Sequence, residues 1–209
     1  MYPGARIGEL LVRLPSLTRL ELYCSQAIAY VGFLPQLPRL TVLKLDCYVY
    51  KWADGGWSIP ADAVFSTLSL CTCIIELDLG CGFNSAHWSA LFAKLALKKL
   101  TIRRGAIETL QCFASGPITH SLEELIIGGQ TLDLPPSELS HLYALRRLRT
   151  LQLQSCFSSR LEDAMLDRIF PPTPLFPALT ELIHMWETAQ GERESRERQG
   201  RRLTGCRSD

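Results

Sequence analysis

Histidine and cysteine are the residue types in this sequence best able to hold a metal ion or to attack a substrate. The histidines fall in separate segments with no two at ligand spacing: His87, His120, His141 and His184. Cys71 and Cys73 form a C-x-C pair, but a zinc site needs two further ligands, and none stands at suitable spacing. Phosphate-binding loops, serine-hydrolase turns and H-E-x-x-H helices are also absent from the sequence. We therefore expect no enzyme activity, no metal and no cofactor.

A glycine-rich segment is the main alternative. Leu77-Asp78-Leu79-Gly80-Cys81-Gly82 resembles the first motif of S-adenosylmethionine-dependent methyltransferases, in which a strand ends in a glycine-rich turn against the cofactor. Asn84 stands where that family has a third glycine, and Arg103-Arg104 follows the next predicted strand where an acidic residue would hold the ribose. The methyltransferase hypothesis is kept as the alternative.

A short aliphatic pattern recurs seven times and indicates how the chain is organised. Its first members are spaced 23 to 34 residues apart, which is typical of a solenoid. The copies are Leu17–Leu20–Leu22, Leu40–Leu43–Leu45, Ile74–Leu77–Leu79, Leu97–Leu100–Ile102, Leu122–Leu125–Ile127, Leu148–Leu151–Leu153 and Leu179–Leu182–His184.

Each copy predicts a short strand whose aliphatic residues face a core. Between strands, Ser85 or Asn84 should cap a helix through Leu95, and Ser137 should open another through Leu139, Leu142 and Leu145. Strand and helix repeated in one sense predict a parallel sheet with right-handed crossovers.

The pattern resembles the leucine-rich repeat, L-x-x-L-x-L-x-x-N/C, over roughly residues 10–186. The resemblance implies an α/β fold: a right-handed curved solenoid, or horseshoe, with the parallel sheet on its concave side and helices and loops on its convex side. We expect a repeat domain at 1–186 with a helix-like N-terminal cover at 7–14. The segment 187–209 contains six arginines and five acidic residues and is predicted to be a charged disordered tail.

Two sequence segments point to a particular group of leucine-rich repeat proteins. Leu122-Glu123-Glu124-Leu125 and Phe176-Pro177-Ala178-Leu179-Thr180-Glu181-Leu182 are similar to the irregular repeats of F-box proteins, fungal ones in particular. That implies substrate recognition for a ubiquitin ligase, although too few residues precede Leu17 for the F-box itself. A second assignment is to the repeats of an intracellular immune receptor or of a ribonuclease-inhibitor-like protein.

Charge and targeting signals restrict the partners. The net charge is +1, which implies no general attraction to nucleic acid or to an anionic membrane. The sequence shows no membrane-spanning run and no signal peptide, and its eight cysteines match no disulfide framework. We therefore expect a cytoplasmic or nuclear protein whose partner is another protein.

The predicted binding site combines the outward strand residues of the first four repeats with an aromatic loop. Aromatic residues concentrate in the longest repeat around Asp54-Gly55-Gly56, and they are good anchors for a partner. Strand neighbours add charges of both signs, which would orient that partner. The candidate residues are Tyr23, Lys44, Asp46, Tyr48, Tyr50, Trp52, Trp57, Asp78 and Arg103.

Replacing Trp52 or Trp57 with alanine distinguishes a binding anchor from a cover for the core. If the tryptophan is a binding anchor, its alanine variant should lose about 2 kcal/mol or more of binding free energy and keep its fold. If the tryptophan covers the core, its alanine variant should instead lose about 3 kcal/mol of folding stability. Thermal denaturation of the two variants decides between these, and a marked loss of stability in both removes the loop from the site.

Overall fold

Seven parallel strands form one sheet in chain order. A computed structural model of the chain describes residues 3–23, 27–46, 61–80, 85–103, 109–128, 136–154 and 177–185. Each strand pairs in parallel with the next, which confirms the predicted α/β fold with a parallel sheet. The strands are β1 (Arg19–Tyr23), β2 (Val42–Asp46), β3 (Glu76–Leu79), β4 (Lys99–Ile102), β5 (Glu124–Ile127), β6 (Thr150–Gln154) and β7 (Glu181–Met185).

The aliphatic pattern sets which face of the sheet is buried. In register across the middle strands, Leu43, Leu77 and Leu100 are buried, as are the residues two places further along each strand. Alternate residues point the other way and are mostly half-buried or exposed. We call the side that carries these alternate residues the outward face.

Short helices connect the strands and cover the buried face. The α-helices are α1 (Pro3–Val12), α2 (Ala61–Leu68), α3 (Ser85–Phe92) and α4 (Ile118–Ser121), and 3₁₀ helices span Ala27–Gln36, Leu110–Phe113 and Pro136–Ala144. Successive connecting segments contact one another, so they form a second layer beside the sheet. Their apolar residues share one core with the strands.

The helix expected at Ser85 is present, whereas the one expected after Ser137 is a 3₁₀ helix. The apolar residues of α3 follow α spacing, with Trp88, Leu91 and Phe92 all buried. The later segment repeats leucine at intervals of three, and three residues make one 3₁₀ turn. Its Leu142 and Leu145 are buried, so the 3₁₀ geometry suits the sequence better than the predicted α-helix.

The N-terminal helix packs on the first connecting segment. Predicted at 7–14, the helix spans Pro3–Val12 and contacts the 3₁₀ helix Ala27–Gln36. Gly8 permits the approach, because a Cβ at that position would stand 3.0 Å from the Phe33 ring. Leu11 and Val12 pack against the core beside it. The tail predicted at 187–209 lies outside the described residues.

A stack of aromatic rings supports the middle of the sheet. Trp88 and Phe92 stack with ring centroids 5.4 Å apart, and Phe92 lies 5.0 Å from Phe113 on the next connecting segment. Phe65 meets Trp88 edge-on at 5.8 Å. Such pairs stabilise beyond the area that they bury, so neighbouring segments are held together beneath β3 and β4.

Leu79→Asp should unfold this region. Leu79 is fully buried in β3, and an aspartate there would have no partner, so we expect a loss of about 4 kcal/mol or more. The control is Glu76→Gln, an outward residue on the same strand, which should change stability by less than about 0.5 kcal/mol. Urea denaturation compares the two. Equal losses would contradict the assignment of the two faces.

Candidate protein-binding surface

The outward face is a grid in which each strand contributes one residue per row. The parallel register aligns Arg19, Val42, Glu76, Lys99, Glu124, Thr150 and Glu181 in the first row, and Glu21, Lys44, Asp78, Thr101, Ile126, Gln152 and Ile183 in the second. Side chains of one row on adjacent strands lie close enough to interact.

Four residues of β1 and β2 form a charged cluster around Glu21. Arg19 donates from Nε to Glu21 Oε1 at 2.8 Å, and the Tyr23 hydroxyl donates to Oε2 at 2.6 Å. Lys44 Nζ lies 3.4 Å from Oε1. Both oxygens of one carboxylate are therefore engaged, while the Tyr23 side chain remains 58% exposed.

The cluster shifts the acidity of two of its members. The Tyr23 hydrogen bond, followed by the one from Arg19, lowers the pKa of Glu21 from 4.5 to about 2. The same bond raises the pKa of Tyr23, because a tyrosinate could not donate to Glu21. Glu21 therefore keeps its charge throughout the range in which most proteins are folded.

A bidentate ion pair joins β3 to the residue after β4. Arg103 donates from Nε and Nη2 to the two oxygens of Asp78, at 2.8 and 2.7 Å. The Asp78 side chain is 14% exposed and that of Arg103 is 48% exposed. This paired geometry fixes both side chains and leaves much of the guanidinium accessible to a partner.

A further ion pair lies across the next strand boundary. Lys99 of β4 bonds Glu124 of β5 at 2.6 Å, as the register allows. At the far edge, the Thr150 hydroxyl donates to Glu181 at 3.2 Å. Both interactions are solvent-accessible, so each contributes about 1 kcal/mol or less to stability.

Between these pairs the outward face contains a depression of about 320 Å³ over β2 to β5. Thr101 and Gly128 line it and are small beside the long side chains of Lys99 and Arg103. Val42 and Ile126 add apolar walls. The depression is open to solvent and has the mixed polar and apolar lining that suits a protruding side chain of a partner.

The structure describes only part of the predicted site. It places Tyr23, Lys44, Asp78 and Arg103 on the outward face, with Asp46 ending β2 in the register position next to Tyr23. The aromatic loop residues Tyr48, Tyr50, Trp52 and Trp57 lie outside the described residues. Arg19, Glu21, Glu76, Lys99 and Glu124 were not among the predicted site residues. The charges that alternate in sign along the first two rows were the signal for them.

The start of the glycine-rich segment continues the sheet, at the place where the methyltransferase hypothesis puts S-adenosylmethionine. The Gly80 N–H donates to the Leu45 carbonyl at 2.8 Å, which extends the ladder beyond β3. Arg103, at the place where an acidic residue would hold a ribose, is bound to Asp78 instead. Cys81 and Gly82 lie outside the described residues.

No protein-family model matches this sequence, and no curated protein matches it. Within the described ranges, no helix combines the length and apolar character needed to span a membrane. No group of three or more potential metal ligands occurs in that part of the chain.

Glu21 provides a pH test of the cluster on β1. Tyr23→Phe removes the largest cause of the low pKa, so the Glu21 pKa should rise from about 2 toward 4.5. Because the folded pKa is depressed, the stability that Glu21 contributes is present above about pH 4.5 and is lost as the pH falls toward 2.

Carboxyl-detected NMR titration measures the Glu21 pKa directly. The control is Tyr143→Phe, since Tyr143 packs against the core away from Glu21 and its removal should leave that titration unchanged. A Glu21 midpoint near 4.5 in the unmodified protein would contradict the hydrogen-bonded geometry.

Proposed function

We propose that the chain is a curved solenoid of leucine-rich repeats that binds another protein through the outward face, which is then its concave side. Two observations support the solenoid: the aliphatic pattern recurs seven times in the sequence, and the seven described strands are parallel and adjacent in chain order. Helices are wider than strands, so a sheet covered on one side by helices bends away from them.

The observation that carries the binding role is the build of the outward face. Its side chains come from every strand of the sheet, and the described helices cover the other face. Charged pairs of both signs surround a central depression. A broad surface with fixed charges favours recognition of a complementary protein.

The methyltransferase alternative is less well supported by the topology. In open α/β sheets a cofactor lies in a crevice where the strand order reverses direction. The seven described strands run in chain order without a reversal. We therefore expect titration calorimetry with S-adenosylmethionine to show no saturable binding at micromolar concentration.

Among protein-binding roles, substrate recognition for a ubiquitin ligase is the first that we propose, and the repeats of an intracellular immune receptor are the second.

The cysteines of the described part, Cys71, Cys73 and Cys112, are free thiols, which favours a reducing compartment such as the cytoplasm or nucleus. Burial raises the pKa of Cys71 to about 11 and that of Cys112 to about 12, so these two thiols are unreactive.

Arg103→Glu tests the proposed surface. It reverses the accessible charge and repels Asp78, so binding should weaken by about tenfold or more. Proximity labelling in cells, quantified by mass spectrometry, compares it with the unmodified chain. The control is Glu9→Lys, an exposed charge reversal on α1. If the two variants lose the same partners, or neither loses any, the outward face is not the binding surface.

A further inference from the structure

One carboxylate at the depression has no partner among the described residues, although its lining holds three cations and two carboxylates. Five charged side chains line it: Lys44, Glu76, Asp78, Lys99 and Arg103. Arg103 occupies both oxygens of Asp78, Lys99 bonds Glu124, and Lys44 lies against Glu21. The Glu76 carboxylate forms no hydrogen bond or ion pair with any residue that the structure describes.

The register shows that this part of the first row holds one carboxylate more than Lys99 can pair with. Lys99 stands between Glu76 on one neighbouring strand and Glu124 on the other. One lysine cannot neutralise two carboxylates, so its movement from Glu124 to Glu76 would only transfer the surplus. The neighbour of Glu76 on its other side is Val42, which carries no charge.

A partner that covers the depression has to satisfy this carboxylate. Glu76 is already half-buried, and covering it removes the remaining water. An unpaired carboxylate in a dry interface is strongly unfavourable, whereas a cation beside it restores the balance. Val42 and Ile126 in the lining suit the aliphatic stem of a long basic side chain.

The outward face also carries more carboxylates than cations among the side chains that the structure describes. Its register positions hold five carboxylates, on Glu21, Glu76, Asp78, Glu124 and Glu181, against four cations, on Arg19, Lys44, Lys99 and Arg103. The difference is −1 on a chain whose net charge is +1. Such a face attracts a basic surface and repels an acidic one.

We propose that the depression over β2 to β5 binds a basic segment of the partner protein, and that Glu76 accepts its arginine or lysine. This inference rests on the proposed function, because it assigns the class of partner to the same surface. It adds a charge preference that protein binding alone does not require.

The probe is a short peptide, acetyl-Gly-Leu-Arg-Leu-Gly-amide, titrated into the full ¹⁵N-labelled chain. The matched control peptide has citrulline in place of arginine, and citrulline has nearly the same shape without the charge. The arginine peptide should shift the amides of Glu76, Lys99 and Thr101 and bind about fivefold more tightly, the effect expected of one accessible ion pair. Raising the ionic strength tenfold should remove most of that preference.

Substitutions assign the preference to Glu76. Glu76→Gln should reduce binding of the arginine peptide to that of the citrulline peptide, while Glu76→Asp should keep most of the difference. Glu9→Gln, an exposed change on α1, is the control and should have no effect. Thermal midpoints of all three variants show whether each retains its fold. If Glu76→Gln does not fold, Glu76→Ala takes its place: loss of the arginine preference in that variant supports the role of Glu76, and an unchanged preference contradicts it.

The outcomes separate this inference from the proposed function. Equal binding of the two peptides at the depression, no binding there by either, or an arginine preference unchanged by Glu76→Gln overturns the role of Glu76. The proposed function stands in each case if Arg103→Glu still loses partners. If the arginine preference is found but Arg103→Glu loses no partners, the arginine-binding site at Glu76 exists and the proposed protein-binding role of the outward face fails.

Discussion

The register of the parallel ladder is the constraint on which the rest of this structure depends. At each of the six strand boundaries, two successive N–H groups at the start of one strand donate to a single carbonyl just before the preceding strand, at 2.7 to 3.1 Å. Thr41 and Val42 share the Thr18 carbonyl in this way, and Thr180 and Glu181 share that of Arg149. At these two boundaries the threonine hydroxyl also donates to the shared carbonyl, at 3.2 Å. The paired N–H donors recur at all six boundaries whatever the side chain, proline excepted, so the register does not depend on the length of the connection. Repeats of 23 to 34 residues can therefore keep one register, and that register aligns the rows of the outward face.

The strands could be predicted from sequence because a two-residue period and a buried aliphatic pair leave little freedom in each repeat. The connections were less predictable. Leu139, Leu142 and Leu145 are compatible with one face of either an α-helix or a 3₁₀ helix, and the strict interval of three should have favoured the latter. The ten-residue 3₁₀ helix Ala27–Gln36 carries little periodic signal, and Pro35 within it opposes an α-helix. Tertiary packing against α1 and α2 decides its conformation instead.

The candidate site could be predicted as a set of positions but not as a set of contacts. Alternation along each strand places Asp78 and Lys99 outward, yet it does not say which partner a side chain chooses. Lys99 has a glutamate on both sides, so only side-chain geometry selects Glu124. Arg103 binds diagonally, one row away from Asp78, and a row-by-row reading would pair Asp78 with Lys44. That the Glu76 carboxylate has no partner among the described residues appears only after these choices are known.

Under the proposed function, the two layers of the protein contribute differently to recognition. Beneath β3 and β4, the stack formed by Trp88, Phe92 and Phe113 holds the sheet against rearrangement, so little ordering of the backbone should be needed on binding. On the outward face, ion pairs such as that of Arg103 with Asp78 are satisfied before any partner arrives. Breaking them would cost as much as new contacts return, so they restrain the partner's orientation rather than attract it. The proposed preference for a basic partner therefore rests on the one carboxylate at the depression that no described side chain pairs with. That carboxylate is Glu76, because the first row places a single lysine between it and Glu124.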